Sequence, residues 1–206
     1  MLLVERCLLF EVVLFAPFSL INLYAQEVGE GGNQEGLFST EYLHPSSDDR
    51  DIRTTNLNAY ARIRGLSSDI LSIYAGLTAT YAVGDITQLE GEIEQGTLRE
   101  VNYDTRAGGL GPGLLVDLRL WRSRRLSAHL SGSGSLIVYS RDFPAGGDKY
   151  NFMWRGGPAL RYHIGNGRRV GLGYQWMHVS NGQGVGSRNP SYEAQGFALQ
   201  YTTSFD

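Results

Sequence analysis

The sequence predicts an all-β fold, an eight-stranded antiparallel up-and-down transmembrane β-barrel. Three observations predict it. Apolar and polar residues alternate with a period of two over eight successive segments, and no helical 3.6-residue period competes over any long window. The segments run about 10 to 15 residues, long enough to cross a bilayer when tilted and longer than the usual soluble strand. The connections alternate between short and long, the habit of bacterial outer-membrane barrels with short periplasmic turns and long outer loops.

In chain order, the first element is a mostly apolar stretch, residues 8–25 (LLFEVVLFAPFSLINLYA), which ends in Leu-Tyr-Ala before Gln26. It reads as an export signal, although Glu5 offsets Arg6 ahead of it and Glu11 interrupts it. We therefore divide the chain into a signal peptide (1–25), a flexible Gly-rich periplasmic leader (26–35) and the barrel (36–206). The only cysteine, Cys7, falls in the first part, so disulfide and thiol chemistry are not expected of the rest.

Within the barrel the two faces of each segment separate cleanly. Leu71, Ile73, Ala75, Leu77, Ala79 and Tyr81 oppose Ser72, Gly76, Thr78 and Thr80. Leu114, Val116, Leu118 and Leu120 oppose Gly113, Asp117 and Arg119. Leu126, Ala128, Leu130, Leu136 and Val138 oppose Ser127, His129, Ser131, Ser133 and Ser135. Phe152, Trp154, Leu160 and Tyr162 oppose Asn151, Arg155, Arg161 and His163, and in the last segment Phe197, Leu199, Tyr201 and Phe205 oppose Ala198, Gln200, Thr202 and Ser204. Short turns are expected near 65–68, 122–124 and 165–168, and long loops near 45–51, 84–104, 141–148 and 181–191. The charged loop residues Glu90, Glu92, Glu94, Arg99 and Glu100 read as a solvated outer face.

Composition agrees with this reading. Hydrophobic residues make up 42% of the chain, too few for a helical membrane protein but suited to strands that present every second residue to lipid. Glycine (27) and tyrosine (12) are plentiful, as tight turns and interfacial aromatics require, and proline (6) is scarce. The net charge of -3 argues against nucleic acid as a partner. A soluble barrel with its apolar face inward would alternate identically, so segment and loop lengths carry the distinction. The charged residues of the polar face (Arg62, Arg64, Asp117, Arg119, Arg155 and Arg161) are expected inside, as a buried salt-bridge network with Asp117. Side chains fill the interior of a barrel this small, so a pore is not expected.

One segment breaks the pattern. In VGLGYQWMHVSN (170–181) the outward parity of Val170, Leu172, Tyr174 and Trp176 continues to His178 and Ser180. In the next segment the outward parity of Phe197 and Leu199 runs back through Gln195 to Glu193. Ionisable groups on a lipid-facing wall are unfavourable and call for an explanation. Strand neighbours i and i+2 point the same way, with Cα atoms about 7 Å apart, so an imidazole at 178 can lean onto a hydroxyl at 180. The three types fit nucleophilic ester chemistry: Ser180 attacks, His178 takes its proton, and Glu193 orients the imidazole and stabilises its cation. Amides of Asn181, Gly182 and the Gly-rich loop after them would face the developing oxyanion. Tyr174 and Trp176 read as girdle aromatics. His44, His129 and His163 have no metal-ligand spacing, so neither a metal nor another cofactor is expected.

The run His178-Val179-Ser180-Asn181-Gly182, followed by Asn189-Pro190-Ser191-Tyr192-Glu193, resembles the signature of the PagL lipid A 3-O-deacylases. The motif similarity covers the last two strands. The resemblance implies an eight-stranded outer-membrane barrel that hydrolyses the ester-linked acyl chain at the 3-position of lipid A. It implies that Ser180 is the nucleophile, His178 the base, Glu193 the orienting acid and Asn181 a residue of the oxyanion hole. Lipid A of lipopolysaccharide is then the expected partner and the bacterial outer membrane the expected location, with a homodimer left open. Two other readings remain at this point: a non-enzymatic OmpX-like barrel serving adhesion or envelope integrity, and a soluble lipocalin-like carrier.

Overall fold

The computed structural model describes residues 34–47, 50–90, 99–181 and 191–205, with the side chains of 88–90 excepted. The expected signal peptide, most of the leader, Glu92, Glu94, Gly182 and the Gly-rich loop lie outside the described residues. Among those described the strands are β1 (Gln34–Pro45), β2 (Arg50–Arg62), β3 (Leu71–Glu90), β4 (Arg99–Asp104), β5 (Ala107–Arg122), β6 (Leu126–Phe143), β7 (Asp148–Gly165), β8 (Arg168–Ser180) and β9 (Tyr192–Phe205). A 3-10 turn, Arg64–Leu66, links β2 to β3. No described helix is long and apolar enough to cross a membrane, and the crossing elements are strands.

Every pairing is antiparallel, and the sheet closes on itself. β1 pairs with β2 on one side and with β9 on the other, from Gln34↔Phe205 to Pro45↔Ala194. β4 and β5 lie end to end along β3 and meet at Thr105, whose amide donates to the Gly84 carbonyl. They form one stave, so the barrel has eight.

The long loop expected over 84–104 is instead largely a hairpin, in which β3 and β4 pair from Asp85↔Asp104 to Glu90↔Arg99. The reason lies at Gly84, which reads as a strand end but is a kink inside a strand. It takes φ +153°, and a Cβ there would sit 1.7 Å from the Asp51 carbonyl oxygen, so β2 can pass this close only because the side chain is missing. β1 also begins at Gln34, two residues inside the stretch assigned to the leader. Glu35 is anchored there by Arg169 and by the Tyr74 hydroxyl. The turn between β7 and β8 is the tight Asn-Gly type, with Asn166 at φ 53° and Gly167 at φ 70°.

Alternation now has a physical meaning. The outward residues form an apolar belt: Leu114, Leu160 and Phe197 are 57%, 58% and 62% exposed. The inward residues are buried and include both apolar clusters and polar networks. Toward the long-loop end Leu43, Ile52, Ile137, Phe143, Met153 and Tyr192 pack together. Toward the other end Leu37, Tyr60, Tyr74 and Leu115 do so.

Two buried guanidinium groups organise the polar lumen. Arg161 makes a two-pronged contact with Asp117, 2.8 Å on each side, and donates through Nε to Gln200 at 2.9 Å. This is the ion pair expected with Asp117. Arg155 is not part of it. It pairs with Glu41 at 3.0 Å and donates to Asn58, Tyr60, Thr78 and Ser135. Arg64, expected on the inner face, lies exposed in the turn after β2, because the strand ends before its side chain can enter the lumen.

Candidate active site

The end of β8 and the start of β9 build the patch. His178 is the direct cross-strand partner of Glu193, and Trp154 on β7 is its partner on the other side. Directly opposed residues on one face are the closest side-chain neighbours a sheet offers. His178 Nδ1 lies 3.4 Å from Glu193 Oε1. That distance is long for a charge-assisted hydrogen bond. The imidazole lies against the Trp154 indole, with ring centroids 6.0 Å apart and planes 27° from parallel. Trp154 thus backs one face of the imidazole on the outer wall. The carboxylate side chain of Glu193 is 66% exposed on that wall, and that of His178 is 26% exposed.

Ser180 is the last residue of β8, opposite Phe152, on the same outward phase as His178. Among the described residues no hydrogen bond joins its hydroxyl to the imidazole, and strand spacing alone brings the two together. Asn181 takes the opposite phase. Its side chain is buried, and its amide donates to Asp148 Oδ2 at 2.8 Å, at the start of β7. The outward residues Ser180, His178 and Glu193 are therefore brought to one patch, while Asn181 borders it from below.

The sequence did not reveal Asp148 or the stacking of Trp154. Both depend on which residue of β7 faces which residue of β8, and alternation within one strand carries no information about register.

A second constellation lies in the lumen. His129 Nε2 is 2.9 Å from Ser127 Oγ, and His129 Nδ1 is 2.8 Å from Asp117 Oδ2. These distances suit a catalytic triad better than those on the outer wall. Access decides against it: Ser127 is 1% exposed, and both oxygens of Asp117 are held by Arg161. No ester carbonyl can reach that hydroxyl.

A closed barrel with an apolar outer belt defines a membrane-embedded protein, and an ionisable His–Glu pair is set into that belt. A family model described as "Lipid A 3-O-deacylase (PagL)" matches residues 73–202, a span that contains the whole patch. The chain belongs to the PagL lipid A 3-O-deacylase family and is a bacterial outer-membrane protein. Among solved structures it is similar to the outer membrane enzyme PagL, with 15% identity over 81% of this chain and 98% of that one, at a TM-score of 0.46. It is also similar to Neisserial surface protein A, with 12% identity over 84% of this chain and 96% of that one, at a TM-score of 0.48. None of the curated proteins compared with it matches.

Proposed function

We propose that this chain removes the ester-linked 3-O acyl chain from lipid A in the outer leaflet, using Ser180, His178 and Glu193. One observation carries the reading: His178 and Glu193 face each other across β8 and β9 on the lipid-facing wall, with Ser180 two residues further on the same phase. Ionisable groups are unfavourable on such a wall unless they serve a purpose. The family match supports the substrate class.

The chemistry follows from which ring nitrogen is engaged. Nδ1 faces the carboxylate, which leaves Nε2 to take the Ser180 proton as Oγ attacks the ester carbonyl. Glu193 holds that tautomer and stabilises the imidazolium. The main-chain amides of Asn181 and Gly182 donate hydrogen bonds to the oxyanion. Collapse of the tetrahedral adduct returns the proton to the sugar 3-oxygen, which leaves as the alcohol. Water activated by the same imidazole then releases the fatty acid from Ser180. The long-loop end carries the patch, and in barrels of this kind that end faces outward, where lipid A resides.

The test is mass spectrometry of lipid A from cells producing the wild type or Ser180→Ala. Wild type alone should remove one hydroxyacyl group. An unchanged lipid A profile with a folded wild-type barrel would return the chain to the non-enzymatic reading.

A further inference from the structure

The lumen opens at the short-turn end into a cavity of about 80 Å³. That is room for several waters or for one tetrahedral oxyanion. Four arginines line it: Arg62 from β2, Arg119 from β5, Arg161 from β7 and Arg169 from β8. Three carboxylates answer them. Asp117 is held by Arg161 and His129, and Glu35 by Arg169 and Tyr74. The third, Asp69, sits exposed in the turn between β2 and β3. Arg62 and Arg119 are thus left with one exposed carboxylate between them, and the cavity carries an excess of positive charge.

The donors tell the same story independently. The Nε–H groups of Arg62 and Arg169 are buried and have no hydrogen-bond partner among the described residues. Arg119, pointing inward from β5, has no ion pair or hydrogen bond of its guanidinium there. Buried N–H donors left unpaired are unfavourable and uncommon. With Arg161 committed to Asp117 and Gln200, Arg119 borders this space beside Arg62 and Arg169, and the planar fork and charge of a guanidinium match the oxygens of phosphate. Arg64, Arg122, Arg124, Arg125 and Arg168 crowd the turns around the mouth, although the chain as a whole carries a charge of -3. Such a concentration at one end draws anions toward the opening.

We propose that this cavity is a binding site for a single phosphate group, on the opposite end of the barrel from the ester-hydrolysing patch and independent of it. The group is supplied either as free phosphate or as the headgroup of a phospholipid in the periplasmic leaflet.

The test uses the full chain folded in amine-oxide micelles, which contain no phosphorus, with the arginine Nε–H signals followed by NMR. One arm titrates inorganic phosphate, and the other adds short-chain phosphatidylglycerol to the micelles. Saturable shifts of Arg62, Arg119 and Arg169 with inorganic phosphate identify the free ion as ligand. The same shifts with the lipid alone identify the headgroup. Arg119→Gln should weaken the binding about ten-fold or more, as loss of a charged hydrogen bond does, while Arg119→Lys retains most of it. Arg99→Gln, on β4 at the long-loop end of the barrel, should leave it unchanged. The proposal is overturned if the wild type shows no saturable shift in either arm, or if Arg99→Gln weakens binding as much as Arg119→Gln.

Discussion

His178 and Glu193 are direct partners across the β8–β9 ladder, 3.4 Å apart on a wall otherwise given to leucine, phenylalanine and tryptophan. Replacing Glu193 with Gln keeps the shape and removes the charge that steadies the imidazolium in the proposed mechanism. Deacylation by Glu193→Gln should fall about 100-fold, within the range of a lost acid–base partner. The variant should still migrate as a folded barrel on unheated gels, because the side chain packs against nothing in the lumen. Equal activity in the two proteins would remove Glu193 from the mechanism.

Trp154 supports the other face of the imidazole. Aromatic pairs of this kind contribute about 1 kcal/mol, so Trp154→Ala should slow turnover roughly five-fold by loosening the ring. Trp154→Phe should recover much of that loss. A change in KM with kcat untouched would instead assign the indole to substrate contact.

Asp148 fixes the point at which the chain leaves β8, through its bond to the Asn181 amide. Asp148→Ala should destabilise the barrel by only about 1 kcal/mol, the usual net worth of one hydrogen bond. Its effect on kcat should be larger than that on unfolding, since the amides next to Ser180 lose their anchor. Urea unfolding and turnover, measured on the same preparation, separate the two.

Glu41 and Arg155 make a different prediction, about stability. Glu41→Leu leaves a buried guanidinium without its carboxylate and should destabilise the barrel by about 3–5 kcal/mol. The double variant Glu41→Leu/Arg155→Met removes both charges and should recover most of the loss. Recovery is read as a urea midpoint close to that of the wild type.

Strand phase was legible in the sequence because lipid outside and packed side chains inside impose opposite demands on successive residues. That one regularity located His178, Ser180 and Glu193 on the outer wall. What alternation cannot encode is register, which sets Trp154 beside His178, or the way inward side chains meet across the lumen, which sets Glu41 against Arg155. Gly84 misled for a related reason. A glycine marks both the end of a strand and a kink within one, and only the neighbouring Asp51 carbonyl distinguishes them. The lumenal Ser127, His129 and Asp117 show the reverse, since contacts that resemble catalysis serve packing where no ester can reach the Ser127 hydroxyl.

The bonds of Arg155 reach residues on β1, β2, β3 and β6 from its own place on β7. A half-assembled sheet offers this cation no carboxylate, because Glu41 arrives only with the first stave. Partly curled intermediates inside the bilayer are therefore penalised, and the last seam, β1 against β9, closes in the same event that pairs Arg155 with Glu41. Closure of the hoop and the pairing of this charge are thereby coupled.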